Sequence, residues 1–356
     1  MALADSLLTW YDECKRDLPW RRDKDPYKIW VSEVMLQQTR VEAVRAYFER
    51  WIERFPTLQS LAEAQEEEVI QYWQGLGYYS RARNLHQGVR EVAASYGGQV
   101  PMTKEEVSGL SGIGDYTSGA ILSIAYDQRE PAIDGNVLRV FSRLYCIHGD
   151  IATPMVKRQI REQVEQDMSM DRPGDFNQAL MDLGATICIP KSPRCEICPL
   201  QNNCQAKDKG VQQELPIKKK KTPPVPVTLI AGVLQDGDRF LLRKRPKKGL
   251  LAGMWEFPGI EIPIEENPME VFERGFLCET GQEVQATTLL LQCIHIFSHR
   301  RWDISFYQCT HENGNRPLGK DVFWINKSEW HTLSFAGPHR KMANQLLNGI
   351  YSNEVM

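Results

Sequence analysis

Two hydrophobic rhythms divide the chain. From the N-terminus to about residue 209, apolar positions recur three and four apart, the spacing that lines one face of successive α-helices. Pro26-Tyr27 opens a long amphipathic helix predicted to run through Trp30, Val34, Val41, Val44, Phe48 and Trp51. Pro56-Thr57 restarts the pattern, and Glu66 to Tyr72 predicts the next helix. Gln74 to Tyr79 interrupts it with two glycines; Arg81 to Tyr96 resumes, and Gly97-Gly98 and Pro101 break again. Ala120, Ile121, Ile124 and Ala125 carry another helical face. Asn136 to Tyr145, Met155 to Met168 and Phe176 to Cys188 complete the set. From Val227 the period changes to two. Val227 to Leu234, Asp236-Gly237 and Arg239 to Arg243 read as a hairpin. Leu289 to Phe297 and Ile304 to Cys309 are further strands, joined by Ser298 to Asp303; Pro268 to Glu279 and Pro338 to Leu347 are helices. Between the two regimes, Gly210 to Pro226 holds Lys218 to Lys221 and four prolines, a composition that cannot pack a core. The expected organisation is an all-α region at 1–209, an exposed extended linker at 210–226 and an α+β domain at 227–356.

Composition adds little to this. A length of 356 residues suits two domains, and a net charge of −3 does not announce a nucleic-acid partner. Local charge is more informative: Cys188 to Lys221 carries eight Lys/Arg against three acids. No apolar run reaches the length of a membrane span and the N-terminus lacks a signal-peptide pattern, so a cytoplasmic protein without a membrane partner is expected. Of the nine cysteines, Cys188, Cys195, Cys198 and Cys204 cluster with spacing C-x6-C-x2-C-x5-C. Four thiolates suit a tetrahedral zinc or a [4Fe–4S] cluster; with a single C-x2-C knuckle the spacing favours iron–sulfur. A structural role, shaping the basic segment around it, is expected rather than redox turnover.

The stretch Leu110-Ser111-Gly112-Ile113-Gly114 is a glycine turn feeding a helix. Gly112 and Gly114 are expected to use backbone angles closed to other residues, leaving N–H groups free for a phosphate. No lysine follows as in a nucleotide-binding loop. Asp134 lies downstream, where it could cap the helix that begins at Gly135.

These marks together, the glycine turn, the later aspartate and the four-cysteine spacing, resemble the helix-hairpin-helix DNA glycosylases. Leu18-Pro19-Trp20, Ser32 to Thr39, Gly77 to Leu85 and Leu183-Gly184-Ala185 are similar to the adenine-specific branch, which removes adenine mispaired with 8-oxoguanine. The resemblance implies roles for particular residues. Glu33 would be the general acid that protonates adenine N7, its pKa raised by apolar neighbours. Asp134 would face the sugar and stabilise the positive charge left on it, or bond to it transiently, with Asn136 orienting it. Tyr116 stands where strand-cleaving members carry a lysine; it cannot form an imine, so a glycosylase without strong strand cleavage is implied. Trp20, Arg21 and Gln178 would line the adenine pocket. Gln38 and Tyr78 would wedge the stack vacated by the rotated base, with Thr39 and Leu76 near the 8-oxoguanine. Gly112 and Gly114 would hold DNA phosphate.

Trp255 to Gly259 resembles the start of a Nudix (MutT-like) domain. Counting back from Gly281, Arg274 is in place, but Gly275 and Cys278 stand where metal-binding glutamates belong; Glu279 alone remains. A magnesium-dependent pyrophosphatase is therefore not expected. By resemblance the turn Phe297-Ser298-His299 would read the lesion strand. The resemblance thus implies a monomer acting on double-stranded DNA, associated with the nucleoid, that excises adenine opposite 8-oxoguanine or guanine. The alternatives are an endonuclease III-like glycosylase/lyase, a non-enzymatic iron–sulfur damage sensor and a Nudix hydrolase.

Overall fold

In a computed structural model, which describes residues 3–219, 222–297, 299–311 and 317–349, the chain divides into two compact units at Lys220/Lys221. The first is helical: α1 (Leu3–Cys14), α2 (Pro26–Leu36), α3 (Val41–Arg54), α4 (Leu58–Ala62), α5 (Glu66–Trp73), α6 (Ser80–Ser95), α7 (Lys104–Gly109), α8 (Asp115–Tyr126), α9 (Gly135–Leu144), α10 (Pro154–Asp167), α11 (Pro173–Thr186) and α12 (Gln205–Asp208). Among the described residues, no helix is long and apolar enough to cross a membrane.

The buried stripes foreseen from the periodicity build this unit. Leu7 and Tyr11 of α1, Val137 and Phe141 of α9, Ile160 and Val164 of α10 and Phe176 and Leu180 of α11 share one core. Trp30, Trp51 and Trp73 are fully buried elsewhere in the unit, with Trp51 edge-on to both Phe55 and Trp73. Asp25 starts α2 by accepting the Tyr27 N–H, with Pro26 at the first helical position.

The predicted long helix from Pro26 is two helices. It breaks at residues 37–40, where Gln38 adopts a left-handed φ of 57°. The apolar spacing crosses the break undisturbed because α2 and α3 both turn their stripes inward, so periodicity alone could not show it. The expected linker also begins later than residue 210. Leu215 is buried and its carbonyl accepts a hydrogen bond from Arg143 Nε (2.9 Å), while Ile217 bridges to Asp150. This stretch is anchored to the helical unit rather than extended and exposed.

The second unit is a mixed sheet with helices on both faces: β1 (Val225–Asp236), β2 (Arg239–Lys244), β3 (Trp255–Glu256), β4 (Gly259–Ile262), α13 (Pro268–Thr280), β5 (Val284–Ile296), β6 (Arg300–His311), β7 (Val322–Asn326) and α14 (Gly337–Leu347). The strand order is β3-β2-β1-β6-β5, with β4 on β1 and β7 on β2; β1 and β6 run parallel. Alternate residues of β1 serve opposite cores. Leu229, Ala231 and Val233 pack with Met342 and Leu346 of α14, and Ile230 and Leu234 pack with Phe272 and Phe276 of α13. Gly232 lets α13 approach, since a Cβ there would lie 2.6 Å from Phe276.

Candidate active site

A cavity of about 580 Å³ opens in the helical unit between α2, the turn before α8, the start of α9 and α11. Glu33, Tyr116, Asp134, Asn136, Trp20, Arg21, Gln178, Gln38, Thr39 and Gly114 all line it. Residues more than a hundred positions apart in sequence are thus brought to one wall.

Glu33 sits on α2 and is 5% exposed. Tyr116, in the first turn of α8, donates its hydroxyl to Glu33 Oε2. Burial pushes the Glu33 carboxyl up to about 7; the Tyr116 hydrogen bond and the Arg21 charge only partly offset this, and Asp134 adds to it. Burial likewise raises the Tyr116 phenol well above its ordinary value.

Asp134 takes the capping role open to it and also lines the cavity. As N-cap of α9 it accepts from the backbone N–H of Asn136 and Val137, each at 2.8 Å. Its second oxygen accepts from Asn136 Nδ2 at 2.7 Å. Burial moves this carboxyl upward in pKa, while the three donors and Arg139 favour its charge. Asn136 is itself held: Arg139 donates to its Oδ1 (2.8 Å) and to the Gly184 carbonyl (2.7 Å). A Cβ at Gly184 would lie 2.5 Å from the Asn136 side chain, so only glycine leaves room for it.

Trp20 is buried and meets Phe48 edge-on at 5.5 Å. Arg21 reaches the cavity already committed, its two terminal nitrogens on the Asp182 carboxylate at 2.8 and 2.9 Å. Arg16 shares that carboxylate from the other side. Asp182 is 1% exposed, and the two guanidinium groups hold it below the usual carboxylate range against the effect of burial. Neither Arg16 nor Asp182 was foreseen. Asp182 reads as one more residue inside a helical stripe, and its partners lie 161 and 166 positions away.

Leu76, Tyr78 and Gly112 do not line the cavity. Leu76 is buried, and Tyr78 is 49% exposed with a left-handed φ of 48°. Arg81, also unforeseen, ties their loop to the end of α2. Its Nη1 donates to the carbonyls of Val34, Met35 and Gln37 (2.7, 3.0 and 2.6 Å). Its Nη2 donates to those of Leu76 and Gly77, both at 3.2 Å, and to Thr39 Oγ1 at 3.3 Å. One buried guanidinium thereby sets the two left-handed residues, Gln38 and Tyr78, beside each other's loops.

Gly112 has a φ of 79°, and a Cβ there would strike Asn84, as the turn demanded. Gly114 differs from expectation: its φ of −106° and ψ of 178° are open to any residue, and nothing lies within 4 Å of a Cβ.

Cys188, Cys195, Cys198 and Cys204 surround one small cavity of about 30 Å³. Burial, then the neighbouring cysteines, pushes Cys198 up to about 12 despite a backbone hydrogen bond; four sulfurs this close suit a bound cationic centre. Arg143 donates to Cys188 Sγ at 3.3 Å and to the carbonyls of Ile189 and Pro190. This donor set fits an iron–sulfur cluster.

In the second unit Phe297 is half-buried, its ring edge-on to His295 at 4.5 Å and to Trp302 at 4.8 Å. It anchors the turn and does not itself reach out. His299 is exposed, and Ser298 lies outside the described residues. Glu279, the remaining residue of the Nudix pattern, is ion-paired with Arg243.

The chain matches three family models: the HhH-GPD superfamily of base excision DNA repair proteins over residues 31–166, the iron–sulfur binding domain of endonuclease III over 188–204, and the NUDIX domain over 230–345. It is 37% identical to the adenine DNA glycosylase of Homo sapiens, covering 96% of this chain and 73% of that one. With that of Schizosaccharomyces pombe it shares 34% identity, over 91% of this chain and 85% of the other. With that of Buchnera aphidicola subsp. Baizongia pistaciae it shares 30%, over 96% and 95%. Among solved structures, a thermostable thymine-DNA glycosylase superimposes with a TM-score of 0.54 at 28% identity, over 58% of this chain and 95% of that one.

Proposed function

The chain belongs to the adenine DNA glycosylase family, base-excision repair enzymes that carry an iron–sulfur cluster, and from that premise we propose that Glu33 and Asp134 excise adenine as two carboxyl groups of unlike character. The observation that carries the reading is their shared cavity, with Glu33 titrating near 7 and Asp134 fixed by three donors. Adenine enters beside Trp20 and Gln178. Glu33 gives its proton to N7, and the purine leaves as a neutral base. Positive charge builds on the deoxyribose, and Asp134, oriented by Asn136, stabilises it. Tyr116 holds Glu33 in place and offers no amine, so the strand is left intact. The cluster takes no part in these steps; its cysteine loop holds the basic segment in shape.

The preferred substrate is adenine opposite 8-oxoguanine or guanine in double-stranded DNA, met by a monomer. Gln38 and Tyr78 fill the stack, Thr39 and Leu76 lie by the opposite base, and Gly112 and Gly114 grip backbone phosphate. The helical region, 1–209, excises; the region 227–356 scores the opposite base through Phe297, Ser298 and His299. Support for this last role comes from the anchored turn that leaves His299 exposed, and from the Arg243–Glu279 pair that disfavours metal hydrolysis. The test is incubation with duplexes holding adenine opposite 8-oxoguanine, guanine or thymine. Alkali-labile sites should form fastest opposite 8-oxoguanine, with no breaks before alkali. Breaks without alkali would favour a lyase. Changing Phe297, Ser298 and His299 to Ala should erase the preference for 8-oxoguanine over guanine; unchanged discrimination would refute that role.

A further inference from the structure

Asp134 does not face one cavity only. A second, of about 500 Å³, is lined by Tyr116, Asp134 and Gly135 on one side and by Lys157, Arg158 and Arg161 of α10 on the other. Nothing in the excision chemistry uses these three cations.

Their placement does not serve the helix that carries them. α10 has no acid in its first turn, and Lys157 and Arg158 lie in its N-terminal half, where the helix dipole disfavours them. The ion pairs they make are long and partly exposed: Arg158–Glu162 at 3.8 Å and Arg161–Glu165 at 3.6 Å. Both have the base N-terminal to the acid, the weaker order for such pairs. Among the described residues, Lys157 has no carboxylate within ion-pair distance. Arg161 Nη1 is buried and makes no hydrogen bond, and the Glu165 carboxylate it pairs with stays 3.6 Å away, so this donor has no short partner beside the cavity. Two acids line the space, Asp115 and Asp134, against the three cations. An anion entering there would satisfy Arg161 and neutralise α10.

We infer that this cavity receives a backbone phosphodiester of the DNA strand carrying the target, next to the nucleotide rotated into the first cavity. Asp134 and Tyr116 belong to both walls, so a sugar held against Asp134 has its flanking phosphate within the reach of Lys157 and Arg161. The inference rests on the excision reading above. It adds a second grip, distinct from the glycine turn, that would keep the sugar from swinging away as the glycosidic bond breaks.

The experiment measures binding of the full chain to two duplexes as salt is varied. One contains a tetrahydrofuran abasic-site analogue opposite guanine; the other is undamaged. The double variant Lys157→Ala/Arg161→Ala should bind the analogue duplex about tenfold more weakly. Its slope of log affinity against log salt should be shallower by about one, the value for one lost phosphate contact. The undamaged duplex should lose less. Lys157→Ala alone and Arg161→Lys, which keeps the charge, should fall between, and cluster absorbance checks that each variant is folded. Unchanged affinity and slope, or equal losses on both duplexes, would overturn the inference while the wild-type chain still excises adenine. A wild type that neither binds nor excises would remove the excision reading first.

Discussion

Two glutamates, one in each unit, are buried to nearly the same depth and are driven in opposite directions. Glu33 is 5% exposed and Glu256 3%. Burial pushes both toward protonation. For Glu33 burial wins, because Arg21 is already spent on Asp182 and, among the described residues, the only hydrogen bond comes from Tyr116. For Glu256 the charges win: His339, Arg243 and Arg245 hold it below the usual range. His339 is itself pushed down to about 4 and accepts from the Phe257 N–H, so the arginines are the partners that persist at neutral pH. Depth does not decide what a buried acid does. The charges left free to face it decide, and here they leave a proton on one and a permanent ion pair on the other.

The largest effect separating the two should come from Glu33→Gln. Excision in a single-turnover assay should fall by about 10²–10⁴-fold, the usual worth of a positioned acid, while duplex binding persists. The same change should stabilise the fold at alkaline pH. A carboxyl at about 7 when folded and 4.5 when unfolded binds more protons in the native state. Its contribution is therefore whole below 4.5 and is lost as pH rises through 7. That loss is roughly 3 kcal/mol, which the Gln variant should recover at pH 8 and not at pH 4 in urea unfolding. For the same reason wild-type excision should fall about tenfold per pH unit above about 7. Retained excision in the variant would end the comparison.

Glu256→Ala tests the other side. It leaves Arg245 unpaired and Arg243 with Glu279 alone, and should destabilise the second unit by about 3–5 kcal/mol. Tryptophan fluorescence would follow this as an earlier urea transition, with cluster absorbance unchanged. A smaller loss, about 3 kcal/mol, is expected for Arg81→Met, which takes a donor from five carbonyls where Gln38 and Tyr78 take their left-handed turns and leaves those of Gln37 and Gly77 with Thr39 and Trp73. Susceptibility to proteolysis should rise at residues 37–40 and 74–79. An unchanged digestion pattern would show that these turns hold without it.

The contrast between the glutamates was half legible in the sequence. Glu33 and Asp134 could be paired through their motifs, and the apolar neighbours of Glu33 within its own helix foretold the direction of its shift. The quiet state of Glu256 could not be read, because Arg243, on a neighbouring strand, and Arg245, just past its end, act only after the sheet has formed. The same limit hid Asp182 and Arg81, whose partners are set by tertiary packing, and the break after α2, where no glycine or proline marks the turn. Local chemistry is visible in a chain wherever its partners are neighbours or a motif names them. A charge that meets its partner across the fold leaves no such mark.

The finest test concerns Tyr116, among the described residues the one group that donates a hydrogen bond to Glu33. That bond favours the ionised carboxyl, so Tyr116→Phe should raise the pKa of Glu33 further. The alkaline limb of the excision profile should then move upward by a fraction of a pH unit, while the rate at pH 6, where Glu33 is already protonated, changes little. Measuring single-turnover rates from pH 6 to 9 in both proteins separates this from a loss of packing, which would lower the whole curve without moving it. A limb that stays in place would mean that some other group sets the titration.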